Sequence, residues 1–343
     1  MPKKVRILCL DGGGIRGLIP AVILSYIEES IRKKTGNKNA VLADYFDMIG
    51  GTSTGGILAC LYLVPPKEGD KAKTSRYFAH EAIEMYKEHA ESIFKTNYPR
   101  QLASVRLVYD EKYQVGDFEK LLNKYFDDSK LSDLVHPALI TSYDIEERKA
   151  VFFTQPEAKA SPFHDYYLRD IARATSAAPT YFEVADIKSM GGHKGYFIDG
   201  GMVANNPALC TVVEAMKIQF ADCPYPLEVE DMYVVSISTG KELEPIRFEK
   251  AKDFGAARWI GPVISILMSG SSETVDYHLK KIFQASNCGE NYIRIDPPLC
   301  RADNSMDNVS KSNLEELENA GKDYIAKHLE QLDGVVNNLI DYA

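Results

Sequence analysis

A serine between two glycines is the first feature of this sequence that could carry out chemistry. Gly51-Thr52-Ser53-Thr54-Gly55 matches the pattern G-x-S-x-G, in which a serine occupies a tight turn between a strand and a helix and exposes its hydroxyl. The flanking glycines allow a close approach of the backbone. The pattern predicts Ser53 as a nucleophile, with an ordinary polar loop as the alternative explanation of so short a motif.

A glycine-rich run near the start of the chain could bind negative charge. Asp11-Gly12-Gly13-Gly14-Ile15-Arg16-Gly17 follows an apolar strand and precedes a helix. Successive glycine N–H groups at the start of a helix form a nest that binds anions, and such a nest suits the oxyanion of an acyl-transfer reaction. The run therefore predicts an oxyanion-binding loop.

The same run also satisfies a dinucleotide-binding pattern. Gly12, Gly14 and Gly17 have the spacing G-x-G-x-x-G between a strand and a helix. A dinucleotide site requires an acidic residue at the end of the second strand, about 20 residues further on, and here that strand ends in the Ser53 turn. Nucleotide binding therefore stays an alternative, while the lack of G-x-x-x-x-G-K-[ST] in the sequence excludes a P-loop.

A serine nucleophile needs a base, and the sequence offers an aspartate in a suitable position. Asp199 ends an apolar strand and is followed by Gly200 and Gly201. It should lie, like Ser53, at the carboxyl edge of the sheet, where open α/β sheets place their sites. Among the seven histidines, His193 alone adjoins a glycine turn next to a strand. We expect Asp199 to be the base and keep a Ser-His-Asp esterase, with His193 or His278 as base, as an alternative.

The elements that position these residues alternate between apolar strands and amphipathic helices. This order predicts an α/β fold, a three-layer sandwich with a mainly parallel central sheet and a helical C-terminal part. The predicted strands cover residues 5–10, 46–50, 138–142, 150–154, 195–198 and 232–238, and the predicted helices cover residues 21–34, 57–64, 74–95 and 116–126, with a further helix from Pro207.

The chain is predicted to form one domain, because the sequence has no internal repeat, low-complexity stretch or Gly/Ser-rich linker. Residues 1–245 contain Ser53, Asp199 and the glycine-rich loop and form the predicted catalytic domain. Residues 246–343 form a mostly helical part packed on the same domain. The apolar segment Ile260 to Met268 could contact a lipid surface, but we expect a core helix there, and no polybasic amphipathic helix marks a docking face.

Composition limits the classes of partner. With 45% hydrophobic and 26% charged residues the 343-residue chain is typical of a globular protein, and its net charge of −9 disfavours nucleic acid as a ligand. No apolar run approaches the roughly 20 residues of a membrane span, and no signal peptide is recognised. We expect a soluble cytoplasmic protein that can act peripherally at membranes. The six scattered cysteines suggest neither a zinc site nor disulfides, so we expect no metal and no cofactor.

Together these motifs resemble those of the patatin-like phospholipase family. The loop Asp11 to Gly17, the turn Gly51 to Gly55 and Asp199-Gly200-Gly201 match its oxyanion loop, nucleophile and dyad aspartate. The similarity extends through Ala172 to Phe182 and Asn205-Asn206-Pro207 and covers nearly the whole chain. The resemblance implies a compact patatin fold and a calcium-independent lipid acyl hydrolase with a Ser-Asp dyad, which cleaves fatty-acyl esters of phospholipids or other glycerolipids.

The resemblance and the chemistry together suggest roles for single residues. Ser53 is expected to attack the ester carbonyl and Asp199 to accept its proton, with a carboxyl pKa raised by partial burial. The oxyanion hole is expected in the loop Gly12 to Gly14, with the N–H groups of Gly13 and Gly14 as donors and that of Thr54 as a further donor. The remaining motif residues are expected to support these groups: Asp11, Arg16, Gly17, Gly51, Gly55, Gly200 and Gly201.

Two of the supporting side chains are charged. We expect Asp11 to hold the glycine loop, because a second negative charge beside the oxyanion would oppose the reaction. For Arg16 we expect a structural pair with a neighbouring carboxylate, and the alternative is that it steadies the loop or a phosphate head group. The segment Thr175 to Thr180 is a candidate wall of an acyl pocket.

Other functions remain open from the sequence. The same machinery could pass the acyl group to an alcohol, as in an acyltransferase, or the chain could be a non-catalytic or storage protein that keeps the fold. The expected partner is a lipid or fatty-acyl ester at a transient membrane or micelle surface. Acyl-chain length, positional preference, head group and oligomeric state do not follow from the sequence.

Overall fold

A mixed, mostly parallel sheet flanked by helices forms the centre of the molecule. The computed structural model describes residues 3–69, 72–94, 113–241 and 245–343, and in these residues the sheet has eight strands in the order β5-β6-β3-β2-β1-β7-β8, with β4 paired to β3. The strands are β1 (Val5–Leu10), β2 (Met48–Thr52), β3 (Ala138–Asp144), β4 (Lys149–Thr154), β5 (Ala185–Lys188), β6 (Lys194–Asp199), β7 (Met232–Ile237) and β8 (Tyr292–Ile295). The predicted α/β sandwich is confirmed.

Twelve α-helices in the described residues accompany the sheet. They are α1 (Leu18–Thr35), α2 (Thr54–Leu63), α3 (Ala79–Ile93), α4 (Gly116–Phe126), α5 (Gln155–Ala160), α6 (Leu168–Thr175), α7 (Gly201–Ala204), α8 (Ala208–Ala215), α9 (Phe248–Ala251), α10 (Ala256–Ala285), α11 (Lys311–Lys327) and α12 (Leu329–Asp341).

The three layers follow from the residues of β1, which is buried on both faces. Successive side chains of a strand point to opposite faces of a sheet. Leu8 and Leu10 accordingly join the core cluster beneath α1, α2 and α3, whereas Val5, Ile7 and Cys9 join a second cluster beneath α8 and the C-terminal half of α10. A strand that is apolar except at Arg6 and buried on both faces is therefore typical of a sheet covered by helices on both sides.

The predicted helix over 74–95 is shorter in the structure, and its last residue lies outside the described residues. Helix α3 begins at Ala79 because the carboxylate of Glu81 accepts the N–H of Phe78 at 2.7 Å and so caps the first turn. The N–H of Ala79 donates to the buried carboxylate of Glu28 on α1. These contacts fix the helix start five residues after the predicted one.

The C-terminal part contributes to the same sheet and core as the rest of the chain. Strand β8, which the sequence did not predict, pairs in parallel with β7 from Val234–Tyr292 to Ile237–Ile295. Leu317 on α11 and Val336 on α12 are fully buried in the cluster that also contains α1. This part is helical as predicted except at β8, whose four residues are too short to give a periodic pattern.

A core helix was predicted at residues 260–268, but in the structure this helix is buried on one side only. This segment forms part of α10, and its Val263, Ile266 and Leu267 are exposed by 44%, 48% and 47%. Ile264 and Met268, in contrast, face the cavity described below. An apolar run without charges does not by itself distinguish a helix buried all round from one with a single buried side.

Strands β2 and β6 meet end to end along β3. Strand β4 occupies one edge of β3 along residues 139–144. Strands β2 and β6 must therefore share the other edge, where β2 pairs with residues 138–141 and β6 pairs with residues 142–144. Strand β2 runs parallel to β3 and β6 runs antiparallel to it. Their carboxyl ends therefore converge, with Thr52 opposite Thr141 and Asp199 opposite Ser142.

Candidate active site

Ser53 occupies a sharp turn between β2 and α2. Its backbone has φ 54° and ψ −124°, a conformation that non-glycine residues rarely adopt and that costs about 1–3 kcal/mol. The turn is tight because a Cβ at Gly51 would collide with the carbonyl of Gly55, in the first turn of α2. The N–H of Ser53 donates to Oγ1 of Thr175 at 2.8 Å. The fully buried helix α2 and this bond hold the serine hydroxyl in place.

Asp199 is hydrogen-bonded to the serine through its carboxylate. The Ser53 hydroxyl donates to Oδ2 of Asp199 at 2.7 Å, and the N–H of Gly201 donates to Oδ1 at 2.7 Å. Each carboxylate oxygen accepts a hydrogen bond, so the orientation of the Asp199 carboxylate is fixed. The N–H of Asp199 donates to the carbonyl of Ala177, and the N–H of Gly200 donates to that of Thr175, so the end of α6 supports both members of the pair.

The carboxylate lies in a site that disfavours its charge. Asp199 is only 3% exposed, and burial raises its pKa from the ordinary 3.8 to about 6, although the hydrogen bonds from Ser53 and Gly201 act in the opposite direction. A carboxyl group with a pKa near 6 is ionised at neutral pH and is a stronger base than a free aspartate.

The glycine-rich loop lies against the serine with two of its N–H groups available. A Cβ placed on Gly12 would be 3.3 Å from Cβ of Ser53, which puts the loop beside this serine. Within the described parts of the chain, the N–H groups of Gly13, Gly14 and Thr54 have no hydrogen-bond acceptor. The N–H of Gly12, which was also predicted to lie in the oxyanion hole, donates to the carbonyl of Asn205 at 3.0 Å.

A buried ion pair fixes the start of the glycine loop. Arg294 on β8 donates to both carboxylate oxygens of Asp11 at 2.8 and 2.6 Å, and also to the hydroxyl of Ser236 on β7. Burial alone would lower the pKa of Arg294, but the adjacent Asp11 carboxylate raises it above its ordinary value. The sequence could not reveal this partner, because Arg294 is separated from Asp11 by most of the chain.

The loop continues into a short 3-10 helix, Gly14–Gly17, ahead of α1. Arg16 in this turn donates to the carbonyl of Gly13 at 3.4 Å and to that of Asn304 at 3.2 Å. The N–H of Ile15 donates to the carbonyl of Met306 at 2.9 Å. The segment before α11, which contains Asn304 and Met306, therefore contacts and stabilises the end of the glycine-rich loop.

An apolar cavity opens above the Ser53–Asp199 pair. The predicted wall segment contributes Ser176, Ala178 and Pro179 to its lining. Ile57, Tyr181, Phe182 and Met202, which are close in sequence to the predicted segments, also line it. The other lining side chains come from distant parts of the chain and could not be identified from local sequence: Tyr86, Ile93, Phe94, Phe118, Ile264, Met268 and Met306. A mostly apolar pocket whose lining includes a serine hydroxyl and a carboxylate suits a hydrocarbon chain with a polar reacting group.

The histidines lie away from this pair. No histidine is among the described residues that line the cavity. His193 precedes β6, whereas Asp199 ends it, and six strand residues span roughly 20 Å. His278 is exposed on α10, ten residues beyond the cavity-lining Met268. The alternative of a Ser-His-Asp arrangement based on either residue does not fit this geometry.

The described residues contain no group of three or more His, Cys, Asp or Glu side chains that could hold a metal ion. All six cysteines are unpaired. No helix among the described residues has the length and apolar character needed to cross a membrane.

The fold and the site define an α/β protein with a buried serine–aspartate pair under an apolar cavity, and sequence comparison identifies its family. The pattern of the patatin-like phospholipase family matches residues 8–210, and the chain belongs to this family. Membership makes it a lipid acyl hydrolase at the level of the family.

Several plant proteins resemble the chain over most of its length. Patatin-like protein 2 of Oryza sativa subsp. indica is 33% identical, covering 99% of this chain and 88% of its own. Patatin-like protein 2 of Arabidopsis thaliana is 36% identical, with 94% and 83% covered, and Patatin-15 of Solanum tuberosum is 31% identical, with 95% and 85% covered. Among solved structures, VipD from Legionella pneumophila aligns with a TM-score of 0.44 at 15% identity, covering 97% of this chain and 67% of that one.

Proposed function

We propose that the protein hydrolyses fatty-acyl esters of phospholipids or other glycerolipids with Ser53 as nucleophile and Asp199 as its base. The observation that carries this proposal is the 2.7 Å hydrogen bond from the Ser53 hydroxyl to Oδ2 of Asp199, in a buried site that opens into an apolar cavity. A nucleophile and base within hydrogen-bond reach, with the base oriented by a further group, are the signature of covalent catalysis. Here the N–H of Gly201 orients the base.

In the acylation step Ser53 Oγ attacks the ester carbonyl carbon while Asp199 Oδ2 accepts the hydroxyl proton. The carbonyl oxygen becomes an oxyanion, for which the N–H groups of Gly13, Gly14 and Thr54 are the proposed donors. A single donor of this kind is typically worth about 2.7–4 kcal/mol of transition-state stabilisation. The proton on Asp199 then passes to the departing alcohol, and the acyl group remains on Ser53.

In the deacylation step a water molecule attacks the acyl-enzyme, and Asp199 accepts a proton from that water. The same donors bind the second oxyanion, and the proton returns to Ser53 Oγ as the acid leaves. One carboxylate thus serves both half-reactions. Because these steps use only groups of the chain itself, activity is expected to persist in the presence of a calcium chelator.

The acyl chain is proposed to occupy the cavity. On its lining Phe182 packs against both Phe94 and Phe118, with ring centroids 5.9 and 5.4 Å apart. Apolar contacts with a fatty-acyl chain gain roughly 0.8 kcal/mol for each buried methylene group. Long-chain esters are therefore expected to have a lower KM than acetyl esters.

Hydrolysis of a panel of p-nitrophenyl esters and phospholipids by the wild type, Ser53→Ala and Asp199→Asn tests the proposal. Both variants should lose hydrolysis while keeping the far-UV circular dichroism of the wild type. The wild-type kcat/KM should rise about tenfold per pH unit up to about pH 6 and then level off, because only the ionised Asp199 can act as base. Undiminished hydrolysis in either folded variant would refute the assignment.

A further inference from the structure

An apolar face of α10 is exposed next to the catalytic cavity. Trp259, Val263 and Ile266 follow one another at spacings of four and three, and Leu267 adjoins them, so all four lie on one side of the helix. Val263, Ile266 and Leu267 are each exposed by nearly half. From Trp259 to Ser272 the sequence has no charged residue. A stripe of this kind on a helix surface is a marker of an interaction site.

The opposite side of the same helix belongs to the catalytic cavity. Ile264 and Met268 line the cavity together with Ser53, and the amide of Asn205 donates to the hydroxyl of Ser272 at 3.0 Å, which ties the helix to the segment after Asp199. An α-helix with its side chains is about 10–12 Å across. The exposed stripe is therefore separated from the cavity lining only by the thickness of one helix.

The segment that leads into α10 adds exposed apolar side chains and positive charge. Phe248 is 74% exposed and Ile246 is 46% exposed. Residues 245–258 contain four Lys or Arg and two Asp or Glu, a net charge of +2 in a chain whose net charge is −9. Aromatic and aliphatic side chains beside basic residues are the composition of helices that lie in the interface of an anionic bilayer.

We propose that these residues form a docking face for a phospholipid bilayer: Ile246, Phe248, Trp259, Val263, Ile266 and Leu267. The inference rests on the proposed function, because an enzyme that hydrolyses phospholipids must contact the bilayer that contains them. When the face enters the interfacial region, Ile264 and Met268 stand between the bilayer and Ser53. An acyl chain then moves from the bilayer to the cavity along an apolar path and does not cross bulk water, whose contact with the chain would be unfavourable.

Trp259 is the single tryptophan of the chain and lies in the docking face, so its fluorescence reports docking directly. The wild type is titrated with vesicles of equal parts phosphatidylcholine and phosphatidylglycerol, with and without brominated acyl chains. A blue shift and quenching by the brominated lipid are expected. Ser53→Ala should give the same result, because the face does not require a reactive serine.

The double variant Ile266→Glu/Leu267→Glu tests the face. Vesicle affinity and hydrolysis of vesicle phospholipid should each fall at least about tenfold, because two apolar contacts with the interface are replaced by charges that an anionic surface repels. Hydrolysis of soluble p-nitrophenyl butyrate should change less than about twofold, because neither side chain lines the cavity. The matched control Phe163→Glu/Leu329→Glu, at positions exposed by 56% and 49% elsewhere on the molecule, should keep wild-type affinity.

Several results would overturn the docking face. Unchanged vesicle affinity in the double variant, an equal loss in the control, or no quenching of Trp259 would each do so. The single variant Val263→Asp applies the same criteria if the double variant does not fold. If sedimentation shows that the wild type self-associates without lipid and the variant is monomeric, the face joins two copies of the chain instead. Failure of the wild type to hydrolyse soluble ester would refute the proposed function, whereas failure of the wild type to bind vesicles, with ester hydrolysis intact, would refute only the docking face.

Discussion

Replacing Asp199 by asparagine should abolish hydrolysis and at the same time stabilise the protein at neutral and alkaline pH. The wild type holds an ionised carboxylate in a site that raises its pKa from 3.8 to about 6. At about 1.4 kcal/mol for each pKa unit, this rise corresponds to a loss of about 3 kcal/mol of folding stability at pH 8. Asparagine has nearly the same shape and carries no charge, so Asp199→Asn avoids this loss.

The direction in which wild-type stability changes with pH follows from the raised pKa of Asp199. Between about pH 4 and pH 6 the folded wild type binds a proton at Asp199 that the unfolded chain has released, so its stability falls as the pH rises through this window. Above about pH 6 the full loss persists, and below about pH 4 both states are protonated and the loss disappears. The stability gained by Asp199→Asn should therefore grow from pH 4 to pH 6 and stay constant from pH 6 to pH 8.

Urea unfolding of the wild type and Asp199→Asn at pH 4, 5, 6, 7 and 8 measures this difference. The exposed Asp323 on α11 supplies a matched control for the loss of a carboxylate, and the stability of Asp323→Asn should stay close to that of the wild type. A variant that is less stable than the wild type at pH 8, or a gain that does not depend on pH, would refute the argument that burial raises the Asp199 pKa.

Three further outcomes are expected. Gly14→Ala should lower both kcat and the urea midpoint, because Gly14 has φ +59° and an added Cβ would collide with a main-chain carbonyl, and unchanged kinetics would remove this residue from the oxyanion hole. Arg294→Met should lower the free energy of unfolding by about 3–5 kcal/mol, because it leaves a buried charge unpaired, and adding Asp11→Asn should recover part of that loss in urea titrations. His193→Ala and His278→Ala should each keep wild-type ester hydrolysis, and a loss above about tenfold in either would return an imidazole to the mechanism.

The parts of the site that depend on neighbouring residues could be predicted from the sequence. The Ser53 turn requires an apolar strand before it and an apolar helix after it, and both are adjacent in the chain. The glycine loop is specified in the same way by β1 and α1. Most strands were predicted to within two residues because their apolar runs are short and are bounded by turns.

The parts that depend on distant pairing could not be predicted. Asp199 was expected at the carboxyl edge of a parallel sheet beside Ser53, yet it arrives on a strand that runs against β3. The two side chains still meet, because β6 pairs only with the last three residues of β3. The acceptor of the Gly12 N–H and the partner of Asp11 likewise depend on contacts across most of the chain, for which the local sequence contains no signal.

Because β2 and β6 both pair with β3, the backbone of β3 sets the distance between Ser53 and Asp199. Thr141 and Ser142 are consecutive residues of β3. Pairing with β3 therefore holds Thr52, which precedes Ser53, and Asp199 opposite neighbouring residues. Ser53 and Asp199 are 146 positions apart in the sequence, and the intervening chain does not set their separation in space. Insertions, deletions or exchanged loops within the intervening chain could alter the cavity while the spacing of the proposed nucleophile and base stays constant.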